Sequence, residues 1–162
     1  MNNKENYKMK GFYLVPVVLT FAVSACSATP PPCPDQGREA SVKSAGCIVI
    51  NDNKLLVIKE MTGKISIPGG SGNTGESPRC SAHRETWEET GLDTTPKNLV
   101  RKFDNGFHLY RCQLHETSGE IDIQFTHEVR SAFWLDQDAF TEHQWRFPAQ
   151  RDWLKRYLTG QN

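Results

Sequence analysis

The sequence predicts an α/β sandwich around a mixed sheet, and three observations carry that reading. Short runs rich in Val, Ile, Leu and Phe lie both before and after one well-capped helix, turn-forming residues separate the runs, and an amphipathic segment closes the chain. With 162 residues, 37% hydrophobic and 10% aromatic, and no internal repeat, the chain suits a single globular domain with a real core.

The elements follow in order. Val42 to Ile50 and Lys54 to Glu60 are apolar runs joined by Asn51-Asp52-Asn53, which predicts a hairpin. Lys64 to Ile67 reads as a short strand running into Pro68-Gly69-Gly70, and Ser71 to Gly75 as a loop. Ser77 before Pro78 is a helix start, with the serine as N-cap and proline at the first helical position, and Gly91 is a natural stop. The helix therefore runs from Pro78 to about Thr90. Leu99 to Phe103 and Phe107 to Leu114 flank the turn Asp104-Asn105-Gly106. Ile121 to Phe125 and Ala132 to Leu135 read as two further short strands, and Ala149 to Leu158, with Trp153, Leu154 and Leu158, as the closing helix.

Charge and the amino terminus bear on location. Nineteen Lys and Arg balance nineteen Asp and Glu, so the broad cationic field of a nucleic-acid binder is absent. The balance is uneven, since Lys4, Lys8 and Lys10 stand against Glu5 alone in the first 25 residues. The apolar run Gly11 to Val23 that follows would span only ~20 Å as a helix, short of a ~30 Å bilayer core, and reads as the apolar region of a signal peptide. It ends in Val23-Ser24-Ala25-Cys26, which resembles the lipobox of bacterial lipoproteins. The resemblance implies cleavage after residue 25, several acyl chains on Cys26, and a lasting membrane anchor. Ser27 at the next position resembles lipoproteins sent to the outer membrane, which gives an expected address on its periplasmic face. The competing reading is an ordinary secretory signal cut near Ala25.

Residues 26–40, with Pro30, Pro31, Pro32 and Pro34, read as a semi-rigid tether, and 41–160 as the domain. With Cys26 lipidated, Cys33, Cys47, Cys80 and Cys112 remain, an even number in an oxidising compartment. Three pairings are open to them. Cys47 with Cys112 is preferred because both fall within expected strands, which leaves Cys33 with Cys80; the alternative is four free thiols. The five histidines are scattered, and no Cys/His spacing suggests a zinc site.

The chemistry lies on the helix. Glu85, Glu88 and Glu89 stand at i, i+3 and i+4 and share one face, where like charges repel by a few tenths of a kcal/mol per pair unless a cation intervenes. Ser81 and Ala82 on the same side are small and leave room. Hard carboxylate oxygens of this kind suit Mg²⁺ or Mn²⁺, and the competing account is a solvated acidic face with Arg84 paired to Glu88.

The spacing around the trio decides between them. Gly70, five residues, Glu76, seven residues, Arg84-Glu85-Thr86, one residue, Glu88-Glu89, one residue and Gly91-Leu92 resemble the signature of the Nudix hydrolases at every Gly, Glu and Arg position. Ile67-Pro68-Gly69-Gly70 ahead of the box and His127-Glu128-Val129 with Trp134-Leu135 after it extend the likeness from Val42 to Leu158. Thr86 departs from the family's aliphatic residue, which loosens packing under the helix and removes no ligand.

The resemblance implies an α/β/α sandwich and cleavage of a diphosphate linked to some further moiety, by water attack assisted by Mg²⁺ or Mn²⁺. It implies that Glu85, Glu88 and Glu89 hold metal with the Gly69 carbonyl, and that Arg84 orients the carboxylates. Gly70 and Glu76 would brace loop against helix. Glu85 and Glu128 are rival general bases, and Ser131 stands where some relatives have a second late glutamate. Substrate reading falls to residues outside the box, for which Phe107, His108, Tyr110, Trp134 and Trp145 are candidates. An envelope address favours nucleotide sugars, dinucleoside polyphosphates or lipid-linked diphosphates as substrates. A non-catalytic binding module would be betrayed by a missing carboxylate in the box, and none is missing; a structural envelope lipoprotein with a chance motif is the third reading.

Overall fold

A computed structural model describes residues 29–34 and 42–160. The signal segment and Cys26 lie outside the described residues.

β1 (Ser44–Asn51) and β2 (Lys54–Glu60) form the expected hairpin. Asp52 and Asn53 both take the left-handed conformation, φ 48° and 62°, which a two-residue turn between right-twisted strands requires. β1 runs through the centre of the sheet. It pairs with β2 at Ile50↔Leu55 and Asn51↔Lys54, antiparallel with β4 (Gly69–Ser71) at its start, and parallel with β6 (Phe107–Leu114) from Ser44 to Val49. β5 (Thr94–Lys102) lies antiparallel on β6 as an edge, while β3 (Ile65–Ser66) and β7 (Val129–Leu135) both lie antiparallel on β2. The sheet is therefore mixed, as expected.

Strand alternation builds the two interfaces. Ala45, Cys47 and Val49 of β1 and Leu56 of β2 point to one face, where they pack with Ala82, Leu92 and Tyr110 beneath α1 (Pro78–Thr90). Ile48, Leu55 and Val57 point to the other, against Phe140, Trp145 and Leu154 under α2 (Pro148–Leu158). Three layers result.

α1 begins and ends where the sequence marks it. The Ser77 hydroxyl accepts from the Cys80 amide at 3.2 Å, and Gly91, at φ 73°, donates its N–H to the Trp87 carbonyl at 2.7 Å. Thr86 is fully buried, and its hydroxyl donates to the Ala82 carbonyl at 2.7 Å.

Four expectations need correction. The residues Ile121 to Phe125 form no strand: Asp122 N donates to Thr90 O, and Gln124 N and Phe125 N both donate to Glu88 O. Their backbone donors meet the orphan carbonyls at the end of α1 instead of a neighbouring strand. The strand expected at Leu99 starts at Thr94, because a proline at position 96 is tolerated on an edge strand that has no outer partner for its missing N–H. The loop expected from Ser71 is preceded by a strand at Gly69–Ser71, where the backbones of β1 and β4 come into contact. A Cβ on Gly69 would sit 2.6 Å from the Gly46 Cα, so glycine is required at that crossing. The strand expected at Ala132 starts at Val129, on the far side of an irregular register at Lys59/Glu60.

A short 3-10 helix, Gln137–Glu142, was not marked by the sequence. It seats Phe140, whose carbonyl accepts from the Trp145 indole at 2.8 Å.

The four described cysteines form two disulfides, Cys33–Cys80 and Cys47–Cys112. The first fastens the segment 29–34 to the first turn of α1, and His83 of the same helix places Nε2 3.0 Å from the Pro31 carbonyl. The second is sealed in the core, with its cysteines 0% and 2% exposed.

Candidate active site

The loop after β4 and the exposed side of α1 are joined by one arginine. The Arg84 Nε and Nη2 donate to Glu76 Oε1 and Oε2 at 2.9 and 3.0 Å, Nη1 donates to Glu85 Oε1 and Glu88 Oε2 at 2.9 Å each, and Nη2 also reaches the Ser71 carbonyl at 2.7 Å. Glu76 is held in turn by the Asn73 amide and the Ser81 hydroxyl, both at 2.9 Å. Burial acts to raise the Glu76 carboxyl, but these hydrogen bonds and the Arg84 charge outweigh it and hold the group below its ordinary value. Burial likewise opposes the Arg84 charge, and its three carboxylate partners overcome it, so the guanidinium is held above its usual value.

Glu85 and Glu89 are in the opposite situation. Both are almost fully buried, 7% and 6% exposed. Burial pushes the Glu85 carboxyl up to about 7, against the pull of Arg84 and with the charges of Glu88 and Glu128 adding to the rise. Burial also raises Glu89 well above its ordinary value, opposed by the Gly69 N–H donated to its Oε2 at 2.8 Å and reinforced by Glu85, Glu128 and Glu60. Gly70 lies directly against Glu85: any Cβ there would collide with the carboxylate oxygens.

Gly69, Gly70, Arg84, Glu85, Glu88 and Glu89 line one open cavity of about 590 Å³, together with Glu128 and Glu60. Glu128 stands on the rim, its carboxylate 60% exposed and 3.4 Å from the His127 imidazole. The structure thus brings Glu76, Arg84, Glu85, Glu88, Glu89, Gly69, Gly70 and Glu128 to one place. The contribution of Gly69 seen here is its amide to Glu89, beside the carbonyl role that the sequence suggested. Ser131 lies within β7 with Lys59 as its register partner and does not line the cavity.

Two residues of this cavity carried no sequence signal. Glu60 ends β2, and Arg146 donates to its Oε1 at 2.7 Å across 86 residues of chain. Only the topology joins them.

The donor chemistry fits a divalent ion. Five carboxylates border the cavity against Arg84 and Arg146, and two are buried with their charge disfavoured, a state that a hard cation relieves. Among the described residues no three such side chains already converge on one point. As they stand, Arg84 holds Glu85 and Glu88, and the Gly69 amide holds Glu89.

A second cavity of about 350 Å³ adjoins the first and shares Gly69, Gly70, Ser71 and Arg146 with it. Of the five substrate-reading candidates, only Phe107 lines it. Tyr110 is in the core under the Arg79 guanidinium, Trp145 is buried beneath Phe140, and Trp134 packs beside Leu56 in the α1-side core. His108 pairs across to Lys102 of β5 and borders neither cavity. Phe103, Phe147 and Gln150 supply the walls that the sequence did not mark.

Fold and site together define a pyrophosphohydrolase, with a braced acidic helix face opening on a cavity large enough for a diphosphate. The chain belongs to the Nudix hydrolases: the family model described as NUDIX domain matches residues 40–157. A MutT-like protein of Streptomyces ambofaciens is 31% identical over 108 residues, covering 63% of this chain and 68% of that protein. Nudix hydrolase 2 of Arabidopsis thaliana is 31% identical over 128 residues, covering 70% of this chain, but the chain spans only 45% of its length. Among solved structures, a UDP-X diphosphatase superposes with TM-score 0.63 at 18% identity, over 80% of this chain and 68% of that one. An ADP-ribose pyrophosphatase from Streptococcus suis gives 0.59 at 18% identity, over 73% and 92%. At that identity both structures speak to the fold.

Proposed function

We propose that the protein is a Mg²⁺- or Mn²⁺-dependent hydrolase of a diphosphate linked to a second moiety, working in the cell envelope. Carried on a lipid at Cys26, it would face the periplasm from the outer membrane. The observation that carries the catalytic part is the pair of buried carboxylates, Glu85 and Glu89, packed against Gly70 and the Gly69 amide at the mouth of a cavity. Two buried acids without full compensation are a cost to folding that a hydrolase recovers when it binds cation and diphosphate together.

Glu85, Glu88 and Glu89 would hold the ion, which neutralises the diphosphate oxygens, lowers the pKa of the attacking water and supports the departing phosphate. The protein does the rest. Arg84 fixes the angle of Glu85 and Glu88 and ties them through Glu76 to the loop. Glu128 takes the proton of the attacking water, because it stands on the open rim beyond the reach of Arg84, whereas Glu85 is fixed by Arg84 and Gly70. The anchor reading is supported by the basic residues Lys4, Lys8 and Lys10, the apolar run Gly11 to Val23 and the lipobox residues Val23 to Cys26.

The test is product release by the full chain against nucleotide sugars, dinucleoside polyphosphates and prenyl diphosphates, with Mg²⁺, Mn²⁺ or EDTA. Turnover abolished by EDTA is expected. Turnover unchanged in EDTA overturns the metal assignment, and no turnover with bound metal overturns the catalytic one. For the anchor, a mass spectrum of the membrane fraction is expected to show a lipidated amino terminus at Cys26; an unmodified terminus elsewhere overturns it.

A further inference from the structure

β5 closes one side of the sheet, and among the described residues no strand covers its outer side. Its residues, Thr94–Lys102, include Lys97, Arg101 and Lys102 and no acid, in a chain whose charges otherwise balance. Lys97, Leu99, Arg101 and Lys102 are all exposed. Leu99 is bracketed by two register shifts, which re-aim side chains on an edge, and stands 41% exposed between the cations. Charge on an edge keeps strands of other chains from pairing with it, but one lysine serves that purpose, and it gives no reason for an exposed leucine. The acids nearest in sequence flank the strand: Asp93 faces the His115 imidazole at 2.9 Å, and Asp104 lies in the turn before β6.

Both neighbours of this edge suit a bilayer. On the α2 side the Arg101 guanidinium lies 4.9 Å over the Phe103 ring and 5.4 Å over Trp153, which stacks on Tyr157 at 5.0 Å. The three rings are half-buried, and Lys155 and Arg156 of the same helix are exposed. Such a mixture of aromatic and cationic side chains is found where proteins meet lipid headgroups. On the α1 side, Arg79 donates to the Pro96 carbonyl at 2.9 Å, and the His83 ring stands between the Thr94 carbonyl at 2.7 Å and the Pro31 carbonyl at 3.0 Å. The amino-terminal segment therefore meets the domain beside the start of β5. Pro31 is five residues from Cys26, a reach of at most about 18 Å.

We propose that the β5 edge is a docking surface for an anionic lipid bilayer, with Lys97, Arg101 and Lys102 on headgroup phosphates, Leu99 between them, and Trp153 and Tyr157 bordering the contact. A cationic strip holding one apolar residue matches a layer of phosphates above acyl chains. A second copy of the chain is a poor occupant, because pairing edge to edge would set these cations against their own kind. The chain's path agrees: on the reading that Cys26 is acylated, Pro31 and the start of β5 are held close to the lipid. The orientation rests on that anchor reading, whereas the charge complementarity does not. None of Lys97, Leu99, Arg101 and Lys102 lines the acidic cavity, so docking and hydrolysis use different surfaces.

The experiment mixes the purified full chain, as the cell processes it, with vesicles of phosphatidylcholine alone or of phosphatidylcholine with phosphatidylglycerol, and follows flotation and amide hydrogen exchange. An acylated protein floats with both, so flotation with phosphatidylcholine reads the anchor and exchange reads the edge. Slower exchange over residues 97–102 is expected with the anionic vesicles only, reversed in about 1 M salt, where charges are screened beyond about 3 Å. Each lysine adds about fivefold to the attraction of an anionic surface, so a Lys97→Ala, Lys102→Ala double variant should lose the protection. Both lysines are exposed, and matching melting curves show that the variant is folded. Equal exchange in the two vesicle types, or protection that persists in the double variant, overturns the docking surface and leaves the anchor standing. Flotation with the anionic vesicles only, with protection over 97–102, upholds the surface and overturns the anchor. Flotation with neither overturns both.

Discussion

The Gly69 amide donates to Glu89 Oε2 at 2.8 Å, joining the strand at the lip of the cavity to the last turn of the acidic helix. This one bond fixes the deepest carboxylate of the site, and several consequences can be measured.

Glu89→Gln keeps the shape and the acceptor but removes the charge. Loss of kcat by about 100-fold or more is expected, since removal of groups that merely orient metal ligands already costs 10–100-fold. The melting temperature of the metal-free protein should rise, because a buried uncompensated carboxylate is gone. Wild-type turnover would show that the helix face is not the metal site.

Gly70→Ala places a methyl against the Glu85 carboxylate, which must swing away and release Arg84. Destabilisation of about 1–3 kcal/mol is expected, with weakened Mg²⁺ affinity in calorimetric titration. An unchanged titration would mean that the Glu85 position does not matter for metal.

The metal-free protein should lose stability as pH rises from about 4.5 to 7. Glu85 is pushed up to about 7 in the fold, so over that interval the native state binds more protons than the unfolded chain, and the slope of stability with pH is negative. Glu89, raised for the same reason, extends the fall. Glu76, held low, acts oppositely and supports the fold above 4.5. Melting curves across pH in EDTA check the slope, and Mg²⁺ should flatten it.

The two disulfides should yield to a reductant in order. Cys33 and Cys80 are half-buried and reachable, whereas Cys47 and Cys112 are sealed. Alkylation under native conditions with a mild dithiol should label the first pair only. The second, closing 65 residues of chain, should open only on unfolding, and the entropy of that loop is worth about 4 kcal/mol in the simplest model.

The hairpin, the helix and its caps were legible because each is signalled by neighbours in sequence: Asp52-Asn53, Ser77-Pro78 and Gly91. The box residues were legible because a helix converts spacing into a shared face, so Glu85, Glu88 and Glu89 declare themselves. The strand read at Ile121 to Phe125 failed for a tertiary reason, since nothing local says that its amides serve the end of α1. Glu60 and Arg146 were invisible for the same kind of reason, being partners across 86 residues. The aromatic candidates misled because a ring in a strand gives no sign of which side it faces: Tyr110 and Phe107 differ by three residues in β6, and one is core while the other lines a cavity.

The fastening of Cys33 to Cys80 has a mechanical side. Tension on the chain ahead of Thr29 enters the domain at the first turn of α1 and not at the start of β1. Cys80 lies five residues before Glu85 on the same rigid rod. Residues 29–34 and the acidic face are therefore mounted on the same helix and keep a fixed relation to each other.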